Sequence, residues 1–307
     1  MSSATKQAPT GINAHGQIDP LITPEKQKQI PSLPLARSKR EHSRTTRGTG
    51  LPPQHANNSA PGTPGFGMTG SGDASARNGR FPIFAERGAD ERPPLEEYFN
   101  SLFTALGPQH WWPGNSAFEV IIGAILTQNT AWTNVEQAIS NLRDADLLSA
   151  DGIQTANLRR LERLVRSSGY FRQKARKLKA FCAFLETEYG GSLERMFATP
   201  TNVLREKLLG VFGIGPETAD SILLYAGGHG IFVVDAYTKR LLQRHGWAGE
   251  NPKYSDVQWI FERQFPGNAK LFNEFHALIV QAGKRWCTAS NPKCDECPLG
   301  RYLEEGR

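Results

Sequence analysis

Long apolar runs are missing from this 307-residue sequence. The cleanest is Val120–Leu126, far short of the roughly 18 residues that a bilayer-spanning helix needs. The opening Met1-Ser-Ser-Ala-Thr-Lys leads into no hydrophobic stretch, so no secretory signal is expected. Cysteine is scarce. There are four, three of them between Cys287 and Cys297, which is not the spread of a secreted disulfide framework. Strand patterning is also wanting, since Ile231–Val234 is β-branched but isolated. These shortages point to a soluble, intracellular, all-α protein.

Residues 1–90 are short of apolar and aromatic side chains and rich in Pro, Gly, Ser, Thr, Gln and Asn. Such a segment cannot bury enough surface to offset its ordering entropy and reads as a disordered tail. It carries eleven Lys/Arg against six Asp/Glu, while the whole chain is only +6. Formal charge is therefore concentrated in the tail, notably over Arg37–Arg47, and residues 91–307 are close to neutral. A basic arm of this kind raises affinity for polyanions in a salt-dependent way, although a plain solvated linker has the same composition.

Pro93-Pro94 marks the boundary of the folded part, one bilobal helical unit over residues 91–307. Apolar periodicity predicts helices over Leu95–Leu106, Phe118–Leu126, Val135–Leu142, Leu158–Val165, Arg172–Tyr189, Leu193–Phe197, Asn202–Leu209, Ala236–His245, Tyr254–Phe265 and Leu271–Gly283. Ser116 and Glu119 form a capping-box signature. Cys182 falls on an apolar stripe with Ala175, Leu178 and Leu185, which makes it a core residue.

The chain is organised around Leu208–Arg240. Gly210 ends one helix, Gly213-Ile214-Gly215 makes a tight turn, and Pro216 sits where a new helix starts, its missing N–H costing nothing there. Two glycines astride one apolar residue, with a helix N-terminus directly after them, aim free N–H groups and partial positive charge outward. That suits a phosphate. Beyond Ala219–Tyr225 and the Gly227-Gly228 loop, Asp235 is placed to cap the helix from Ala236.

This joint spacing, with Asp235 eighteen residues beyond Glu217, resembles the helix–hairpin–helix, Gly/Pro-loop and Asp pattern of the endonuclease III-like DNA glycosylases. Ile125–Thr130 (ILTQNT) and Gly169–Ala175 (GYFRQKA) look like further segments of that family. The resemblance implies damaged double-stranded DNA as partner and a monomer acting away from membranes, cytoplasmic and, in a bacterium, nucleoid-associated. It implies hairpin contact to DNA through Gly213, Ile214 and Gly215, entry of Gln128 into the gap left by a flipped nucleotide, and catalysis by Asp235. For Gln128 a loop-capping amide is the competing reading.

Within the family, members that cleave the strand carry a lysine at the position of Glu217, and a carboxylate cannot form an imine. Lys207, on the preceding helix, is a poor substitute. The combination looks most like the 3-methyladenine branch, where a Glu stands at that position and Trp111, Trp112 and Trp132 match aromatics shaping the base pocket. An N-alkylated purine is cationic, so stacking on indole adds a cation–π term, and Glu217 favours the cation. The expected activity is thus a monofunctional N-glycosylase for alkylated purines. Oxidised pyrimidines, or a non-catalytic DNA-binding module, are the alternatives. Core packing is the plain reading of each tryptophan alone.

Cys287, Cys294 and Cys297 match three ligands of the family's [4Fe–4S] loop, and Leu303 occupies the fourth place. Such clusters take four thiolates, so a cluster is doubtful. An absent or labile cluster, an unusual fourth ligand, and zinc on three thiolates all remain open, with a degenerate loop shaped by packing preferred. Lys284, Arg285 and Lys293 flank this loop, as phosphate contacts or as solvated charge.

Overall fold

The computed structural model describes residues 91–303; the expected disordered tail, residues 1–90, lies outside them. Among the described residues every regular element is helical. In chain order these are α1 Leu95–Leu106, α2 Ala117–Leu126, α3 Trp132–Asp144, α4 Ala150–Thr155, α5 Leu158–Leu164, α6 Phe171–Tyr189, α7 Leu193–Phe197, α8 Thr201–Leu209, α9 Pro216–Ser221, α10 Ala236–Arg244, α11 Tyr254–Gln264 and α12 Ala269–Arg285. None is long and apolar enough to cross a membrane.

The helices start where local chemistry lets them. Ser116, Ser149, Asn157, Ser192, Asp235 and Asn268 each accept a backbone N–H from the first turn of the helix they precede, which satisfies donors the helix cannot pair itself. The capping box at Ser116 is only half formed. Ser116 Oγ accepts from Glu119 N at 3.2 Å, but the Glu119 carboxylate turns to Arg143 at 2.8 Å. A buried Glu with a guanidinium within reach gains more there than from one backbone N–H. Helix α4 escapes the periodicity argument because only Ile153 of its six residues is buried.

Two helical groups share a central layer. In one, α1, α10, α11 and α12 enclose Phe99, Phe232, Phe261, Phe272 and Phe275, with Phe232 stacked on Phe261 at 3.8 Å. In the other, α3 to α8 enclose Leu142, Leu161, Leu178, Phe181 and Leu185. The almost wholly apolar α2 and the α9 segment pack together between them. Cys182 is 1 % exposed, as its stripe requires, and burial pushes its thiol up to about 12. Gly283 allows α12 to cross α10 closely, since a Cβ there would lie 2.2 Å from Tyr237 Cδ1.

Candidate active site

The hairpin between α8 and α9 is built around Gly213, whose φ of +80° is open to glycine and strained for other residues. The Lys177 stem fills the space a side chain would take, 2.5 Å from an ideal Cβ. Ile214 is 5 % exposed and donates its N–H to the Val211 carbonyl at 3.1 Å. It therefore anchors the turn. Below it Asp220, wholly buried, takes Arg205 at 2.7 and 3.1 Å, Tyr254 Oη at 2.8 Å and Gln258 Nε2 at 2.8 Å. Four donors compensate one buried carboxylate and fasten the hairpin to α8 and α11.

Gln128 stands beside this turn rather than projecting from it. Its Nε2 donates to the Gly213 carbonyl at 3.0 Å and to Thr218 Oγ1 at 2.8 Å, and Lys177 Nζ donates to its Oε1. In the unbound protein the amide caps the hairpin. Lys174, 2 % exposed, donates to the Leu126 carbonyl at 2.8 Å, placing its charge at the C-terminus of α2 and supporting the loop that carries Gln128. Desolvation, with Lys177 nearby, lowers the Lys174 ammonium to about 8. Next to this loop Tyr170, held at φ +45° before α6, is 68 % exposed.

Trp111, Trp112 and Trp132 come together as the sequence implied. Trp112 is the centre, with ring centroids 5.8 Å from Trp111, 5.2 Å from Trp132 and 5.2 Å from Tyr225. Gly123 on α2 makes room for them, since a Cβ there would meet Trp112 Nε1 at 3.1 Å and Trp132 Cη2 at 3.4 Å. Tyr225 reaches the cluster because α9 continues over Ile222–Ala226 as a wider π turn, closed by Gly227 N to the Ile222 carbonyl at 3.2 Å. One extra residue in a turn rotates all later side chains about the axis by about 100°.

Asp235 caps α10 with one oxygen. Its Oδ1 accepts from Thr238 N at 2.8 Å and Thr238 Oγ1 at 2.9 Å, while Oδ2 lies 3.6 Å from His276 Nε2. Glu217, at the start of α9, feels this carboxylate. Desolvation first and Asp235 second push Glu217 up to about 7, with Lys239 opposing. Lys284 sets its ammonium 5.6 Å from the Trp111 ring centroid, and desolvation lowers its pKa while Asp235 opposes that. Aromatic surface, two coupled carboxylates and an amine therefore line one place. Lys207 is elsewhere, exposed and paired with Glu188 at 2.8 Å.

Tyr225, His276, Lys174 and Lys177 are site residues the sequence reading did not assign. Their partners lie 48 to 51 positions away, as in Lys174–Leu126, Lys177–Gln128 and Tyr225–His276, so no local pattern marks them.

Comparison with known proteins gives the same assignment. A helix–hairpin–helix model described as the HhH-GPD superfamily base excision DNA repair protein matches residues 122–266, and the iron–sulfur binding domain of endonuclease III matches residues 287–302. A protein of Methanocaldococcus jannaschii named as a candidate DNA repair glycosylase is 43 % identical over 210 residues, 68 % of this chain and 94 % of its own length. Endonuclease III of Sulfolobus acidocaldarius is 28 % identical over 190 residues, 62 % of this chain and 82 % of that one. Among solved structures, the 3-methyladenine DNA glycosylase of H. pylori bound to 1,N6-ethenoadenine superposes with a TM-score of 0.55 at 30 % identity, over 62 % of this chain and 96 % of that one. A non-covalent endonuclease III–DNA complex shares the fold, with a TM-score of 0.60 at 22 % identity over 69 % and 94 %. Fold and site define an enzyme of base excision repair. The chain belongs to the HhH-GPD superfamily of base excision DNA repair proteins, as a DNA glycosylase.

The cysteine loop fits the cluster that the second match implies only in part. Cys287, Cys294 and Cys297 are near one another, for burial first and the other two thiols in lesser part raise Cys297. Leu303 has no donor, and Cys182 is sealed in α6. The chain thus lacks four thiolates for a cluster, and among the described residues no three metal-binding side chains are grouped to hold an ion. Packing also holds the loop. Leu299 is 1 % exposed, Tyr302 lies on Tyr98 at 5.1 Å, Arg240 Nε donates to the Cys287 carbonyl at 2.7 Å, and Arg244 Nη1 to Cys287 Sγ at 3.2 Å.

Proposed function

We propose that this glycosylase hydrolyses the N-glycosidic bond of cationic, N-alkylated purines, 3-methyladenine foremost, in damaged double-stranded DNA, and leaves the abasic strand uncut. The observation that carries the reading is the Trp112-centred aromatic wall beside the coupled carboxylates of Asp235 and Glu217. A flipped cationic base gains stacking on indole worth roughly 1–3 kcal/mol and cation–π attraction of about 0.5–2 kcal/mol. Ionised Glu217 adds attraction for the cation and disfavours a neutral base only weakly.

The chemistry needs little beyond placement. Asp235 Oδ2, the oxygen not used by the helix cap, orients a water on C1′ and stabilises positive charge developing on the sugar. The C1′–O bond forms as the C1′–N bond breaks. The water's proton passes to Asp235, and the cationic purine departs neutral, so no acid is needed for the leaving group. The Gly213 and Gly215 N–H groups hold a backbone phosphate. Gln128 leaves its hairpin partners to fill the vacated stack, with the exposed Tyr170 ring next to it as a second stacking surface.

Glu217 in place of an amine supports the absence of strand cleavage. Borohydride reduction during turnover tests that. No covalent protein–DNA adduct is expected. Trapping of an adduct that persists would show that another amine, with Lys284 nearest the site, forms an imine, and would make the enzyme bifunctional.

A further inference from the structure

His276 lies on α12, 5 % exposed, against the Phe232 ring at 6.2 Å and the Tyr225 ring at 6.0 Å. Its two nitrogens face different residues. Nδ1 meets Tyr225 Oη at 2.5 Å, and Nε2 meets Asp235 Oδ2 at 3.6 Å. Nε2 is buried and makes no hydrogen bond in this state. Tyr225 in turn stands against Trp112. A line of polar contacts therefore runs from the aromatic wall, through one buried imidazole, to the oxygen of Asp235 that the helix cap leaves unused.

The tautomer is set by electrostatics. With the proton on Nδ1, the buried Nε2 lone pair faces an ionised carboxylate, two acceptors without a donor, which is costly. With the proton on Nε2, the ring donates toward Oδ2 and accepts from the Tyr225 hydroxyl at Nδ1. Burial lowers the His276 pKa and Asp235 opposes that, so the neutral ring is the form to reason with. The 3.6 Å separation is longer than a hydrogen bond, and contacts of this kind tighten when substrate closes the site.

We propose that His276 is the positioning residue for Asp235, its Nε2–H fixing Oδ2 toward the sugar, and that Tyr225 selects the tautomer that makes this possible. The proposal rests on the reading of Asp235 as the catalytic carboxylate. It ties base recognition to catalysis, because the ring that flanks Trp112 is the one that sets the imidazole. It also explains the π turn, which puts Tyr225 between the two.

The test is single-turnover base release from methylated duplex DNA against pH, with duplex affinity by fluorescence anisotropy and melting temperature alongside. Asp235 is faced by His276 and Lys284 from α12, Glu217 from α9 and Tyr225 from the π turn, with Lys239 on its own helix near Glu217. Profiles are therefore compared in the E217Q background as well. His276→Phe keeps the ring and removes the donor. It is expected to slow release by about 10- to 100-fold, the scale seen when a partner that orients a metal ligand is removed, with duplex affinity unchanged. Its acidic limb moves to higher pH, because a carboxylate that loses a hydrogen-bond donor loses support for its charged form. His276→Gln offers an amide donor where Nε2 was and restores most of both. Tyr225→Phe gives a smaller loss and limb shift in the same direction.

A wild-type rate and limb for H276F, with D235N inactive, would overturn the positioning role. So would an H276Q as slow as H276F with the limb unmoved, which marks packing alone. If H276F does not fold, H276Q and Y225F decide, and a Y225F with unchanged rate and limb overturns the proposal. An active D235N would instead overturn the reading of Asp235 on which it rests.

Discussion

At Asp235 one carboxylate serves fold and chemistry with different oxygens. Oδ1 is held by both Thr238 groups, and Oδ2 is left toward His276 and the pocket. Asp235→Asn keeps an acceptor for the cap but loses the charge. It is expected to fold and bind duplex as the wild type does while base release falls by more than about 100-fold, measured by chromatography of released base. Glu217 gives a pH prediction with a definite sign. Its carboxyl is raised to about 7, so it is neutral below that pH and charged above. Only the charged form attracts a cationic purine, so release rises with pH through neutrality. Glu217→Gln is expected to flatten that rise and to weaken selection for cationic over neutral bases. A Gln variant with the wild-type profile would remove Glu217 from recognition. The sequence marked these two carboxylates and the tryptophans as candidates through a family resemblance carried by motif spacing, and the structure brings them together. Tyr225 and His276 were not marked, since each is unremarkable until folding brings them together across 51 positions.

Among the elements, the hairpin shows what spacing conveys and what it leaves out. Gly210, Gly213, Gly215 and Pro216 mark helix, turn and helix correctly, because each glycine or proline has a backbone reason visible locally. That Gln128 caps this turn instead of projecting depends on Lys177 and Thr218, contributed by α6 and α9. Gly213→Ala must adopt a left-handed backbone, costing about 1–2 kcal/mol, and its Cβ displaces Lys177. Melting temperature is expected to fall, and affinity for undamaged duplex to fall with it. An unchanged affinity would place phosphate binding elsewhere. The half-formed capping box and the unforeseen α4 share one cause: tertiary partners, Arg143 for Glu119 and a single buried Ile153, outweigh local pattern.

For the whole molecule, two helical groups around α2 and α9 bring hairpin, aromatic wall and Asp235 together, and the cysteine loop is attached to α10 and α12 outside that place. Leu299, Tyr302 and two arginines pack and bond this loop, and it offers three thiolates rather than four. Protein purified anaerobically after iron-replete expression is expected to hold well below one cluster per chain and to melt at the same temperature with a chelator present. A full complement of iron would reverse this. The basic tail outside the described residues carries eleven Lys/Arg, so removing it is expected to reduce the salt dependence of duplex binding and leave single-turnover excision unchanged. The central claim, an aromatic pocket for a cationic purine served by a carboxylate and no imine-forming amine, is tested most directly by chromatography of bases released from methylated and from oxidised duplex DNA, with strand products run in parallel. Release of 3-methyladenine without strand cleavage is the expected result. Release of oxidised pyrimidines with strand cleavage, and none of the methylated purine, would contradict it.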